Sequence, residues 1–164
     1  MKYDLEGRKQ IRLTSFDYAT CGAYFVTVCT HNRREILSTI RRGDPCGRPQ
    51  IQLSHLGQIV AQTFDFISQK YQVTFDTWII MPDHIHFVVM IPEHGCVTLS
   101  QIVGAYKSVA AREWLEVCKS RGWTMGKLWQ RNYYEHVIRN DRDLDEIRLY
   151  IAGNPGRWIE RHME

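Results

Sequence analysis

His84 and His86 stand two residues apart in the run Met81-Pro82-Asp83-His84-Ile85-His86-Phe87-Val88-Val89-Met90, which is otherwise apolar and β-branched after its Pro-Asp start. In an extended strand alternate side chains share a face, so the two imidazoles lie side by side while Ile85 and Phe87 turn the other way. A pair of imidazoles oriented in advance suits a divalent cation, because neutral imidazole is a common metal ligand. Two ligands do not complete a site, and the same spacing also fits a pair of partly exposed strand histidines. A second pair lies in Leu149-Tyr150-Ile151-Ala152-Gly153-Asn154-Pro155. Four apart, Tyr150 and Asn154 are neighbours on one side of a helix, on the shoulder of the apolar stripe beside Ile147. Asn154 offers an amide oxygen as a hard ligand, and Tyr150 a phenol hydroxyl close to whatever that oxygen holds. The plainer reading of these two is a tyrosine at the rim of the core and a helix stop before proline.

The elements that must position these groups follow from periodicity. Residues 24–30 are aromatic and β-branched and follow the turn-like Cys21-Gly22, which predicts a strand. Leu56, Ile59, Val60, Phe64, Ile67 and Tyr71 recur at helical spacing over 54–71. A strand over 73–81, the turn at Pro82-Asp83 and a strand over 84–91 make a hairpin with the histidines just past its turn. Thr98 and Gln101 have capping-box spacing ahead of a helix that runs to about Lys119. A strand fits 133–138, and a final helix from near Asp141 carries Leu144, Ile147 and Ile151 on its buried stripe. The order predicts an α+β, ferredoxin-like βαββαβ antiparallel sheet with helices on one face, plus a C-terminal helix carrying the tyrosine. Such a fold hosts many functions, so function must be argued from the site.

At 164 residues, 44% hydrophobic and 24% charged, the chain is expected to form one domain over 1–164. No apolar run approaches the roughly 20 residues that span a bilayer. The start, Met1 to Lys9, lacks the apolar core of a signal peptide, so a cytoplasmic location is expected. The five cysteines are an odd set with no C-x-x-C pair, which argues against a disulfide framework or a zinc knuckle. The formal charge of +3 is mild, although arginines cluster at Arg33-Arg34 and Arg41-Arg42. Residues 41–50 hold two glycines, two prolines and three arginines without apolar period, which predicts a flexible surface loop inserted between the first strand and the first helix.

Three segments together resemble a known family: His84-Ile85-His86 on a central strand, Trp129-Gln130-Arg131-Asn132-Tyr133-Tyr134-Glu135-His136-Val137-Ile138-Arg139, and Tyr150-Ile151-Ala152-Gly153-Asn154-Pro155. In order and spacing they resemble the REP-associated tyrosine transposases, relatives of the single-tyrosine HUH transposases. The segment Ile11-Arg12-Leu13-Thr14-Ser15-Phe16-Asp17-Tyr18 extends the similarity over nearly the whole chain. The resemblance implies that His84 and His86 bind a divalent metal with Asn154 as third ligand, and that Tyr150 is the nucleophile. It implies action on single-stranded DNA at hairpins of repetitive extragenic palindromes, leaving a 5′-phosphotyrosine and a free 3′-hydroxyl that can be rejoined. It also implies a monomer, since the REP-associated group looks able to work as monomers, whereas the self-mobilising relatives are dimers that share tyrosines.

The chemistry agrees with the residues. A phenol of pKa about 10 is a weak nucleophile at neutral pH, so the site must polarise the phosphate and place the oxygen in line. Either Mg²⁺ or Mn²⁺ is expected to serve, and imidazole ligands favour Mn²⁺. Arg12, Lys107, Arg131 and Arg139 are candidates for phosphate contacts, and Tyr133 or Tyr134 for stacking on an unpaired base. Tyr133 and Tyr134 are also rival nucleophiles, but they precede the last helix and lack an amide four residues on. His84-Ile85-His86-Phe87-Val88 also resembles the histidine-triad nucleotide hydrolases, except that Val88 stands where their nucleophile belongs. A non-catalytic module that grips hairpin DNA is the remaining alternative.

Overall fold

The structure is a computed structural model that describes residues 21–43, 48–93 and 97–162. The chain runs β1 (Gly22–Cys29), a 3₁₀ turn (His31–Arg33), β2 (Ser38–Arg41), β3 (Gln50–Leu53), α1 (His55–Tyr71), β4 (Thr74–Ile80), β5 (His84–Ile91), α2 (Leu99–Ser120), β6 (Tyr134–Ile138), α3 (Asp141–Ala152) and α4 (Asn154–His162). Four strands form an antiparallel sheet in the order β4-β5-β1-β6. The two central strands are buried on both faces, which is why they read as near-continuous apolar runs rather than as alternation.

Alternation along those strands builds two cores. Tyr24, Val26 and Val28 of β1, with Ile85, Phe87 and Val89 of β5, pack against α1 and α2. Phe25 and Val88 point the opposite way and meet Ile147 and Ile151 of α3. The sheet is therefore covered by α1 and α2 on one face and by α3 on the other, and the histidines share the α3 face.

The helices start where their caps require. Ser54 Oγ accepts from Gly57 N–H at 3.0 Å to open α1, the Thr98 and Gln101 capping box opens α2, and Asn140 Oδ1 accepts from Asp143 N–H at 2.9 Å to open α3. Pro155 sits in the first turn of α4, where its missing N–H costs no helical bond. The Asn-Pro pair thus begins a new helix instead of ending the chain's helical run.

The expected loop over 41–50 has more order at its ends than its composition suggested. β2 and β3 pair as a separate two-stranded hairpin, with Arg41 opposite Gln50, while 44–47 lie outside the described residues. Four-residue strands with two apolar positions at most give periodicity too little to register. The hairpin bears on the site through Leu37, just before β2, whose N–H donates to the Pro82 carbonyl at 3.0 Å.

Candidate active site

The β4–β5 turn delivers His84 and His86 to the α3 face as buried side chains, 6% and 1% exposed, so the partly exposed reading of the pair does not hold. Each ring is fixed through Nδ1. His84 Nδ1–H donates to Asp83 Oδ1 at 2.5 Å, and Arg33 Nη1 donates to the other carboxylate oxygen at 3.2 Å. His86 Nδ1 lies 2.8 Å from Thr27 Oγ1, directly across the strand pair. The two Nε2 atoms then face each other at 3.1 Å. Two imidazole nitrogens on one cation, each about 2.1 Å from it, stand roughly 3.0–3.4 Å apart at octahedral to tetrahedral angles. The spacing fits such a pair as well as a hydrogen bond between the two rings, and the outer nitrogens are already oriented.

Electrostatics keep His86 ready to donate a lone pair. Burial, reinforced by the nearby charges of His84, Arg33 and Arg157, holds the His86 pKa well below the usual histidine value, so that ring is neutral. Burial works against ionisation of Asp83, but the hydrogen bond and charge of His84, with Arg33, outweigh it and hold the carboxyl below its ordinary range. Arg33 reaches Asp83 because the chain passes through left-handed backbone at Asn32, φ 56°, and Arg33, φ 52°.

Tyr150, near the end of α3, lies against this pair. Its ring is 5.5 Å from that of His86 and edge-on to Phe25 at 5.9 Å, and Phe25 is itself 5.3 Å from His86. Arg157 sits over the Tyr150 ring, its guanidinium carbon 4.7 Å from the centroid, and Nη1 donates to the Tyr150 carbonyl at 3.2 Å. Asn154 follows on α4, not on Tyr150's own helix. Gly153 between them keeps near-helical backbone, φ −81° and ψ −6°, so the four-residue relation nearly survives the break. Trp158, one turn beyond Asn154, has its ring 6.3 Å from His84, so α4 approaches the same imidazoles. The Asn154 side chain is buried, and its amide nitrogen has no hydrogen-bond partner among the described residues. An amide's nitrogen and oxygen differ only by assignment, and with the oxygen turned into that position it becomes an unpartnered acceptor that a cation would satisfy. The donor set of two imidazoles and one amide therefore fits a small divalent ion.

The remaining candidates divide. Arg131 is exposed just after Gln130, whose N–H donates to the Cys29 carbonyl at the histidine end of β1. Arg139 follows Ile138, which pairs with Ala23 at the other end of β1. Five residues of strand, roughly 16 Å, separate it from the histidines. Lys107 is on α2, behind the sheet, and its ammonium donates to the Gln130 and Arg131 carbonyls at 2.6 and 3.0 Å. Arg12 lies outside the described residues, as does the segment 11–18. Tyr133 packs into the α1/α2 core. Tyr134 is on the site face, exposed, and edge-on to Phe25 at 6.3 Å. Burial first, and then the neighbouring Tyr150, raise its pKa. Val88 is a core residue against α3, so no third histidine completes a nucleotide-hydrolase triad.

Sequence reasoning missed Thr27, Asp83, Arg33, Phe25, Arg157 and Trp158. Asp83 carried a signal, since it abuts His84. Thr27 carried none without the strand register, being 59 residues from its partner.

The chain joins an antiparallel α+β sheet, a histidine pair on a central strand and a tyrosine-bearing helix over the same face, the combination by which it resembles the single-tyrosine transposases. The family described as "Transposase IS200 like" matches residues 19–154, and the chain belongs to it. It is similar to an uncharacterized protein of Haemophilus influenzae, 30% identical over 172 residues that span 92% of this chain and 89% of that one. It is also similar to the REP-associated tyrosine transposase of Escherichia coli K12, 24% identical over 88% of this chain and 73% of that one. Among solved structures, one of a REP-associated tyrosine transposase bound to a REP hairpin shares the fold, with a TM-score of 0.63 and 22% identity over 87% of this chain and 71% of that one. No helix of the described residues is long and apolar enough to cross a membrane.

Proposed function

We propose that this chain is a metal-dependent single-stranded DNA endonuclease and strand transferase acting on REP-type hairpin DNA, with Tyr150 as nucleophile. The observation that carries the reading is the oriented His84–His86 pair, Nε2 atoms 3.1 Å apart, with the Tyr150 ring 5.5 Å from His86. The hairpin substrate is carried over from the Escherichia coli relative and from the hairpin-bound structure.

Tyr150 Oη attacks the scissile phosphorus in line, the bond from phosphorus to the 3′-oxygen breaks, the phenol proton leaves to solvent, and the departing oxygen takes up a proton. The products are a 5′-phosphotyrosyl bond and a free 3′-hydroxyl. One diester replaces another, so reverse attack by a 3′-hydroxyl rejoins strands without a nucleotide cofactor. Mg²⁺ or Mn²⁺ held by His84, His86 and Asn154 would supply charge withdrawal from the phosphate. The protein contributes orientation: Asp83 and Thr27 fix the imidazoles, Phe25 and His86 flank the phenol, and Arg157 brings a positive charge to the phosphate's approach.

The test is incubation with labelled single strands from palindromic repeats flanking the gene, with Mn²⁺ or Mg²⁺, resolved on a denaturing gel for wild type, Tyr150→Phe and Tyr134→Phe. A covalent protein–DNA band that needs metal and vanishes only in Tyr150→Phe is the expected result. An adduct that persists in Tyr150→Phe and is lost in Tyr134→Phe moves the nucleophile to β6. Binding with no cleavage under any metal makes the chain a hairpin-binding module.

A further inference from the structure

Around the histidine end of the sheet, on the α1/α2 side, a cleft of about 400 Å³ is lined by Arg34, His55, Trp114, Cys118, Trp123 and Leu128 among others. Its aromatic groups form a connected array. Trp114 and Trp123 rings are 6.1 Å apart, His55 stands edge-on to Trp114 at 6.2 Å, and the Arg121 guanidinium lies 4.9 Å over Trp123. Trp123 is 50% exposed, an unusual state for so large an apolar ring. None of these residues takes part in the site described above.

The cleft and the histidines are joined by one short path. Arg34, on the cleft, follows Arg33, which holds Asp83 and through it His84. The segment is anchored at both ends: Thr30 N–H donates to the Asp83 carbonyl at 2.9 Å, and Arg34 Nη2 to the Lys127 carbonyl at 2.7 Å. Along this path stand Arg33, Arg34, Arg121 and Lys127, and among the described residues the carboxylates beside them are Asp83, paired with Arg33, and Glu35. The nearest acids on α2, Glu113 and Glu116, are each paired, with Arg112 and Lys119. A cationic strip that leads from a phosphate-cleaving centre to an aromatic cleft suits one ligand above others: a single strand whose backbone follows the arginines and whose base enters the cleft.

We infer that the Trp114–Trp123 cleft takes an unpaired base of the same DNA, in the single strand flanking the hairpin. This rests on the DNA-processing reading above and adds to it a place where the flank is held. Stacking is tolerant of base identity, so the cleft sets how much single strand must flank the hairpin more than which sequence it carries.

The experiment is anisotropy titration of labelled hairpin oligonucleotides, blunt or with single-stranded flanks of increasing length, in EDTA so that no strand is cut. Wild type is compared with Trp123→Ala and Trp123→Phe, and flanked strands with copies abasic at one flank position in turn. The expected result is that flanks tighten wild-type binding and that one abasic position loosens it roughly 5- to 150-fold. Trp123→Ala loses the same factor on flanked strands, none on blunt hairpins and nothing further on the abasic strand, and Trp123→Phe restores most of it. Trp123→Ala that binds flanked strands as wild type does overturns the inference and leaves the DNA-processing reading standing. Equal weakening on blunt and flanked hairpins also overturns it, since the tryptophan then serves the hairpin or the fold. Wild type that binds no strand sinks both.

Discussion

Thr27 tests whether the imidazoles are held for a cation. Its hydroxyl meets His86 Nδ1 at 2.8 Å inside a buried strand pair. Thr27→Val keeps the shape and removes the oxygen, which leaves one buried ring nitrogen unpartnered at about 1–3 kcal/mol. Outer partners of metal-binding histidines are worth about 10- to 100-fold in affinity. The expected outcome is a Mn²⁺ affinity lowered by that factor in calorimetric titration, with a folded protein by circular dichroism. Unchanged Mn²⁺ binding would show that the pair is not oriented through Thr27. At this scale the sequence was legible wherever chemistry is local: His84 with His86, and Tyr150 with Asn154, lie within one turn or one pleat of each other. Thr27, Phe25 and Arg33 reach the site through strand register and a left-handed turn, which short-range spacing does not encode.

The elements that carry the site are fastened by contacts of very different worth. Gly57, in the first turn of α1, would place a Cβ only 2.0 Å from the Leu37 carbonyl oxygen, and Leu37 in turn donates to the Pro82 carbonyl before the histidine strand. Gly→Ala inside a helix normally stabilises by about 0.5–1 kcal/mol. Here the backbone clash outweighs it, and Gly57→Ala is expected to lower stability by about 1–3 kcal/mol in urea unfolding; a raised midpoint would mean α1 can move away from Leu37 freely. On α3, Ile151 is buried against the sheet next to Tyr150, and Ile151→Ala is expected to cost about 2–5 kcal/mol. Arg148 joins the same helix to Asp76 at the β4 bulge, but it is an exposed partner whose removal has a small effect. That effect has a defined pH window. The hydrogen bond from Arg148 holds the Asp76 carboxyl below its usual value, so the pair contributes above the ordinary carboxylate range and is lost as pH falls through the lowered pKa. The wild-type and Arg148→Ala stabilities should therefore converge in acid. Helix starts were legible because their caps are local, as at Ser54 and Thr98. The β2–β3 hairpin was not, because its strands are too short for a period, and Asn154-Pro155 read as a stop because the sequence does not show that a second helix follows.

Across the whole molecule the two faces of the sheet are unequal. Among the described residues, the α1/α2 side buries a continuous core that includes Tyr24, Phe64, Phe87 and Tyr106, whereas the α3 side rests on Phe25, Val88, Ile147 and Ile151. The strand and helix order foretold the sheet with helices on one face, but not how unequal its two layers are, which depends on the side chains each face gathers. The division matters because Tyr150 and Asn154 belong to the thin layer and the histidines to the rigid sheet. Local opening follows buried apolar contact, so α3 and α4 should open at lower free energy than the sheet and its other two helices. In native-state hydrogen exchange, the amides of α3 and α4 are expected to exchange at least about tenfold faster than those of β1, β5 and α2, a gap of roughly 1.4 kcal/mol. Ile151→Ala should widen the gap while leaving α1 and α2 amides nearly unchanged, because its contacts lie wholly on the α3 side. Uniform exchange across all four helices would mean that the layers unfold as one unit, and that the tyrosine is held as firmly as the histidines it faces.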